Sequence, residues 1–324
     1  MTIQKNRVMW DSILFNLIQV AVIIGLAPLV EGVLHRLEEN VQSKRGPNIF
    51  QVYRDIWKFL QKEEVVSAES SWIFRFAPYI AFSMPVFVTL LIPLLTRYPL
   101  FLAFMGDMLA AGFLLALGGF FVSLAAVDTA NPYGPIGASR TRMVGFLAEP
   151  VFMIVFFTLS FMAGSTIPYI VQASWTAVPG GFFEPVHILT MLAFLMLILA
   201  DESRIPVDNP SGHFELAMIG KSKYLEYSGR GAAMIKWAGC MKFMVLICIF
   251  MNVLVTPWGL ASEHTLTAVL LAIPLVLLKV FAFIVVLVVI ESSLAKLRLF
   301  RINEFLGAAF VICILAMITK LMAG

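Results

Sequence analysis

The stretch DESRIPVDNPSGHFELAMIGKSKYLEYSG, Asp201 to Gly229, carries the carboxylates Asp201, Glu202, Asp208, Glu215 and Glu226 together with His213, Pro206 and Pro210. Strongly apolar runs flank it on both sides. Neighbouring acids raise one another's pKa toward neutrality, and acids poised there take up and release protons at physiological pH. Asp201 and Glu202 close one helical run, Pro206 and Pro210 stop a helix continuing between them, and HFELAMIG resumes helix with Glu215 near its start. Non-helical backbone beside a membrane is tolerated where it meets water or lines a protein-walled cavity. Two readings stand: a proton antenna or relay at the mouth of a helical bundle, and an acidic loop that is simply solvated.

Other ionisable residues fall inside the apolar runs themselves. A charge at the bilayer centre costs roughly 2.5–3.5 kcal/mol on insertion scales and normally has a partner or a water path. At about 1.5 Å rise per residue, Glu149 lies roughly 9 Å in from the start of its span, and Lys242 and Lys279 fall near mid-membrane. Pro150 follows Glu149 and weakens the local helical hydrogen bonding. Two buried lysines against one buried glutamate leave surplus positive charge, so at least one lysine is expected to be neutral part of the time or to pair with an acid of a neighbouring chain. Glu31, Asp128 and Glu291 read as solvated residues at helix ends. Asp107 reads as loosely solvated near the outer end of its span.

The elements that must position these groups are membrane helices. Of the 324 residues, 60% are hydrophobic and 13% charged, with a mean hydropathy of +0.91, which is the composition of an integral membrane protein. Eight apolar runs, near 11–34, 73–95, 101–127, 143–165, 186–201, 231–256, 265–290 and 303–322, suit transmembrane helices of about 20 residues, the fifth being short. They lack the alternation of barrel strands. The fold expected is all-α, a single polytopic membrane domain over 1–324. The first run has no small-residue cleavage site and reads as a retained span. Residues 49–62, IFQVYRDIWKFLQK, place Ile49, Tyr53, Ile56, Trp57 and Leu60 on one face, which suits an amphipathic helix on the membrane interface or one docked on a soluble partner. SKRGPN and NPYGPIGASRTR read as turns.

Lys and Arg set the orientation. Arg36, Lys44, Arg45, Arg54, Lys58 and Lys62 follow the first span, Arg140 and Arg142 precede the fourth, Arg204, Lys221, Lys223 and Arg230 precede the sixth, and Lys296, Arg298 and Arg301 precede the eighth. The opposite connections offer Arg97 alone. The positive-inside rule places the basic loops in the cytoplasm and both termini outside. The net charge of +3 is accounted for by these loops, and no basic groove with interleaved aromatics suggests nucleic acid. Cys240, Cys248 and Cys313 sit in apolar helices and His35, His187, His213 and His264 in separate segments, so no metal site is expected on this chain. Any redox reaction is expected on another subunit.

The stretches KRGPN with YRDIWKF, FRFAPY, DTANPYGPIGASR, LAEP, ESRIPVDNPSGHFELAMI, LEYSG with IKWAGCMK, and ESSLAKLRL resemble, in order, those of the membrane anchor subunit of group 4 nickel–iron hydrogenases, of the formate hydrogenlyase subunit 4 or hydrogenase-4 component C type. That family is similar to the heel subunit of respiratory complex I, the NADH:quinone oxidoreductase. The resemblance implies a non-redox subunit in a bacterial inner or archaeal plasma membrane that anchors a cytoplasmic arm and couples its redox reaction to proton or sodium movement. Its implied partners are hydrogenase-type large and small subunits, an iron–sulfur subunit and antiporter-like membrane subunits. A nickel–iron centre and iron–sulfur clusters are expected on those partners, with no cofactor here. It also implies a proton path through Glu149, Glu202, Asp208, Glu215, Glu226, Lys242, Lys279 and Glu291, and docking of the cytoplasmic arm at Lys44, Arg45, Arg54, Arg140 and Arg204. The chain departs from the complex I pattern where Ser211 and His213 replace acids and PVDNP replaces PFDL. It departs from ion-pumping hydrogenase relatives at Gly220 and Lys221, where a His-Glu pair is usual. A quinone-binding subunit, a stand-alone ion transporter and a purely structural anchor are the alternative readings.

Overall fold

The computed structural model describes residues 2–67, 69–100, 102, 106–129, 131–177, 184–208, 220–298 and 301–323. Among them the chain forms α1 (Thr2–Val41), α2 (Gln51–Gln61), α3 (Trp72–Leu91), α4 (Met108–Val127), α5 (Tyr133–Ala163), α6 (Pro168–Ala177), α7 (Pro185–Asp201), α8 (Gly229–Ile249), α9 (Leu266–Ser293) and α10 (Ile302–Ala323). No β-strand forms among the described residues; an isolated bridge joins Thr96 and Ala261. Seven helices are long and apolar enough to cross a bilayer, and α7 is a shorter apolar one. The all-α polytopic expectation holds, with seven full-length spans where eight runs were read.

Sequence chemistry explains the arrangement. From Phe243 through Leu254 every residue of α8 and its continuation is buried, as a helix apolar all round but for Asn252 must be when it runs through the middle of a bundle. Helix α8 packs on α1, α2 and α3, while α10 packs on α5 and α7. Helices α9 and α10 keep broad apolar faces exposed, with Leu271, Leu278, Val289, Val311 and Leu321 among them. At its end α8 widens into a π-helical segment, Phe250–Val255.

The NPYGPIGASRTR stretch, read as a turn, is helical from Tyr133 onward. Its prolines fall at the cap, Pro132, and in the first turn, Pro135, where a missing N–H costs nothing, and Asn131 Oδ1 accepts from the Tyr133 N–H at 2.9 Å. Helix α6 had no counterpart among the eight runs. The amphipathic helix lies at Gln51–Gln61 and buries Val52 and Ile56, while Trp57 and Leu60 of the expected apolar face stay exposed. Gly32 lets α1 meet the segment leading into α2, since a Cβ there would overlap the Ile49 carbonyl. Gly229 opens α8 at φ +50°, and a Cβ on it would meet the Glu63 backbone.

Candidate functional site

The connection after α7 enters the bundle instead of leaving it. Helix α7 spans about 25 Å at 1.5 Å per residue, short of the roughly 30 Å of a bilayer core. Lys242 lies about 13 residues, roughly 20 Å, along α8 from Gly229, yet its Nζ is 2.8 Å from Asp201 Oδ2 and 3.6 Å from Glu202 Oε1. The turn after α7 therefore lies alongside the interior of α8. Arg204, in that turn, is buried; its Nη1 reaches Glu38 Oε1 of α1 at 2.8 Å and its guanidinium lies 5.1 Å over the Phe243 ring. It was expected on the docking face and instead joins the interior network.

Helix α1 continues two turns past the run read from sequence and brings Glu31, His35 and Glu38 onto one face. His35 lies 3.4 Å from Glu31 Oε1 and 3.2 Å from Glu38 Oε2. The Cys240 thiol donates to Glu31 Oε2 at 2.6 Å. Glu291, buried near the end of α9, sits against Glu38 with its Oε1 unpartnered. Glu31 and Glu291, read as solvated helix-end residues, are thus interior: the opposing helices cover those ends. Sequence reasoning overlooked His35 and Glu38, although their spacing from Glu31, i+4 and i+7, was the signal for a shared face.

A cavity of about 830 Å³ opens onto this network. Glu31, His35, Asp201, Glu202, Arg204, Asp208 and Lys242 line it, with Glu149 and Arg142 on the α5 wall and Phe59 of α2 at one end. Arg142 Nη2 holds Glu149 Oε1 at 3.1 Å. Asp208 is buried, paired to Lys296 Nζ at 2.8 Å and accepting from the Gly220 N–H at 3.2 Å. Burial, and then the neighbouring Asp201 carboxylate, push Glu202 up to about 7 against the pull of Lys242. Desolvation also lowers Lys221. Mutual repulsion of acids, the cause inferred from sequence, is thus secondary to burial at Glu202.

Glu226 and Lys279 of the expected path are placed elsewhere. Glu226 accepts from Asn131 Nδ2 and is not in the cavity wall. Lys279 donates to Asn252 Oδ1 at 3.1 Å and to the Thr256 carbonyl at 2.7 Å, roughly 15 Å farther along α8 than Lys242. Lys242 finds acids within this chain, and no described acid pairs with Lys279. Glu215 lies outside the described residues. Asp107 caps α4 by accepting from the Leu109 N–H at 2.9 Å, and Asp128 accepts from the Ser71 N–H at 2.7 Å, so neither is merely solvated. Lys44 and Arg45 are exposed after α1, Arg140 is half-buried on α5, and Arg54 is exposed on α2. Among the described residues no three His, Cys, Asp or Glu side chains converge to hold a metal ion.

A bundle of apolar helices enclosing a cavity lined by charges of both signs defines a polytopic membrane protein built around ionisable groups. Residues 14–322 match the NADH dehydrogenase family, and the chain belongs to that family. It is 30% identical to formate hydrogenlyase subunit 4 of Escherichia coli (strain K12), over 96% of this chain and 100% of that protein. It is 32% identical to hydrogenase-4 component C of the same organism, over 94% of each. Identity with a subunit of the NADH-quinone oxidoreductase of Carboxydothermus hydrogenoformans is 27%, over 63% of this chain and 59% of that protein. The fold is similar to a chain of the membrane-bound sulfane sulfur reductase, an archaeal respiratory membrane complex, with TM-score 0.81, 18% identity and coverage of 95% and 99%.

Proposed function

We propose that this chain is the non-redox membrane subunit of an energy-converting oxidoreductase complex of the group 4 hydrogenase or formate hydrogenlyase type. It seats the cytoplasmic arm and couples the arm's reaction to proton movement. The observation that carries the reading is the interior network around the cavity: Asp201 and Glu202 on Lys242, Arg204 on Glu38, and Glu38 between His35 and Glu291. Kinship with two hydrogenase-complex subunits over nearly the full chain supports the choice of complex.

Glu202, its carboxyl raised above the ordinary range by burial, is poised to exchange a proton when charge changes at the arm. Lys242 holds the compensating positive charge at 3.6 Å, and Arg204 ties the α7 turn to the α1 carboxylates. Glu38 and Glu291 lie close enough to hold a proton between them. Glu149, across the cavity, offers a carboxylate whose release from Arg142 opens a branch toward α5. Lys44, Arg45 and Arg140 supply the cationic face for the arm, whose partners carry the nickel–iron and iron–sulfur centres. The basic loops then face the cytoplasm, with both termini outside.

In proteoliposomes holding the intact complex, Glu149→Gln is expected to preserve assembly and turnover and to abolish coupled proton translocation. Unchanged translocation in that variant sinks the role. A second reading, a quinone-type ligand in the cavity, is favoured by the cavity's extension to Phe59 and its apolar wall, Phe113, Phe146 and Phe152; loss of turnover on adding quinone-site inhibitors is its signature.

A further inference from the structure

Helix α2 borders a second cavity, about 640 Å³, that shares no lining residue with the charged one among the described residues. Its construction begins at Pro28, which has no N–H and so leaves the Ile24 carbonyl of α1 without its helical donor. Trp237 Nε1 of α8 takes that carbonyl at 2.9 Å, and the Tyr53 hydroxyl of α2 donates to the next one, of Gly25. Lys236 of α8 clamps Asp55 of α2 at 2.8 Å, and Phe82 meets Trp237 edge to face at 5.6 Å. With the polar atoms of the two aromatic residues engaged on α1, what faces the groove is ring and aliphatic surface: Pro28, Trp57, Leu60 and Trp237.

The rim differs. Arg54 and Lys58, one helical turn apart, border the same groove. Both are exposed, and neither makes an ion pair among the described residues. Trp57 beside them is 64% exposed, which suits an aromatic at the headgroup level. An apolar slot with two uncompensated cations at its polar edge, on an amphipathic helix, has the charge and polarity profile of a lipid whose headgroup is negative.

We propose that this groove binds an anionic phospholipid of the surrounding bilayer, its acyl chain along Pro28, Trp57, Leu60 and Trp237 and its phosphate between Arg54 and Lys58. The volume lies within the range of small-molecule sites. A neutral amphiphile would fill the slot and leave both cations unanswered; charge complementarity selects the phospholipid. The site does not depend on the proton-coupling reading.

The test is native mass spectrometry of the complex containing this chain, released from nanodiscs of equal phosphatidylglycerol and phosphatidylcholine. Phosphatidylglycerol is expected to be retained in preference. Arg54→Gln and Lys58→Gln each weaken retention about fivefold, from the contribution of one cation near a negative lipid surface, and the double variant about 25-fold. Lys58→Arg keeps the preference, and Lys62→Gln, outside the groove, changes it less than twofold. Equal retention of phosphatidylcholine, a Lys62→Gln loss matching that of Arg54→Gln, displacement by inorganic phosphate, or occupancy by a neutral quinone unaffected by the charge variants would each overturn the assignment.

Discussion

Lys242→Met isolates the electrostatics of the acidic turn. Burial, and then Asp201, hold the Glu202 carboxyl above the ordinary carboxylate range while Lys242 pulls it down. A unit charge at 3.6 Å is worth about 2–5 kcal/mol at an effective dielectric of 40 to 20. With side chains only 25% and 12% exposed, the upper part of that range applies, and removing the ammonium moves the Glu202 midpoint up by about two to three pH units. Asp201→Asn removes the like charge and moves it down. The assay is an infrared pH titration of the protonated carboxyl band in the purified complex, assigned by its loss in Glu202→Gln. In the parent protein the band grows as pH falls through about 7. Because the folded state then binds a proton that the unfolded chain, with a carboxyl near 4.5, does not, Glu202 lowers stability as pH rises from about 4.5 to about 7. A midpoint in the ordinary carboxylate range would show that burial does not govern Glu202, and no displacement in Lys242→Met would show that Lys242 does not.

Two further outcomes test the scaffold. Arg204→Gln removes a buried partner of Glu38 and is expected to cost about 3–5 kcal/mol; the double variant with Glu38→Gln should recover part of that loss in thermal unfolding, and strict additivity would exclude direct coupling. Gly32→Ala places a methyl on the Ile49 carbonyl, forces α2 away from α1, and is expected to cost about 1–3 kcal/mol, read as a lowered Tm.

The membrane class and most spans were legible because about 20 consecutive apolar residues have few other uses. The helical start at Tyr133 was hidden, since Pro132, Gly134 and Pro135 signal turns and only their position in a first turn makes them compatible with helix. Glu202, Lys242 and Glu149 could be singled out as charges inside or beside apolar runs. Their partners could not. Asp201 and Lys242 are brought together by the shortness of α7 and the depth of the turn that follows it, and Arg204 reads as one more cytoplasmic cation until α1 is placed against it.

That same geometry separates two uses of buried polarity. On the side of the acidic turn, carboxylates share a cation, Asp201 and Glu202 both meeting Lys242, and line a cavity, an arrangement that can change protonation. At the far end of α8, Lys279 is held by the Asn252 amide oxygen and a backbone carbonyl. There Gln172 Nε2 donates to the carbonyls of Asn252 and Pro257, both at 3.1 Å, and Asn252 Nδ2 to that of Leu94 at 2.8 Å. These neutral partners satisfy carbonyls around the π-helical segment and its exit, which in a bilayer would otherwise be costly. The expectation that both lysines serve one path rests on the family resemblance, whereas their partners differ in kind. Lys279→Met is therefore expected to loosen the end of α8 while leaving the Glu202 titration in place, and a displaced Glu202 midpoint in that variant would join the two networks after all.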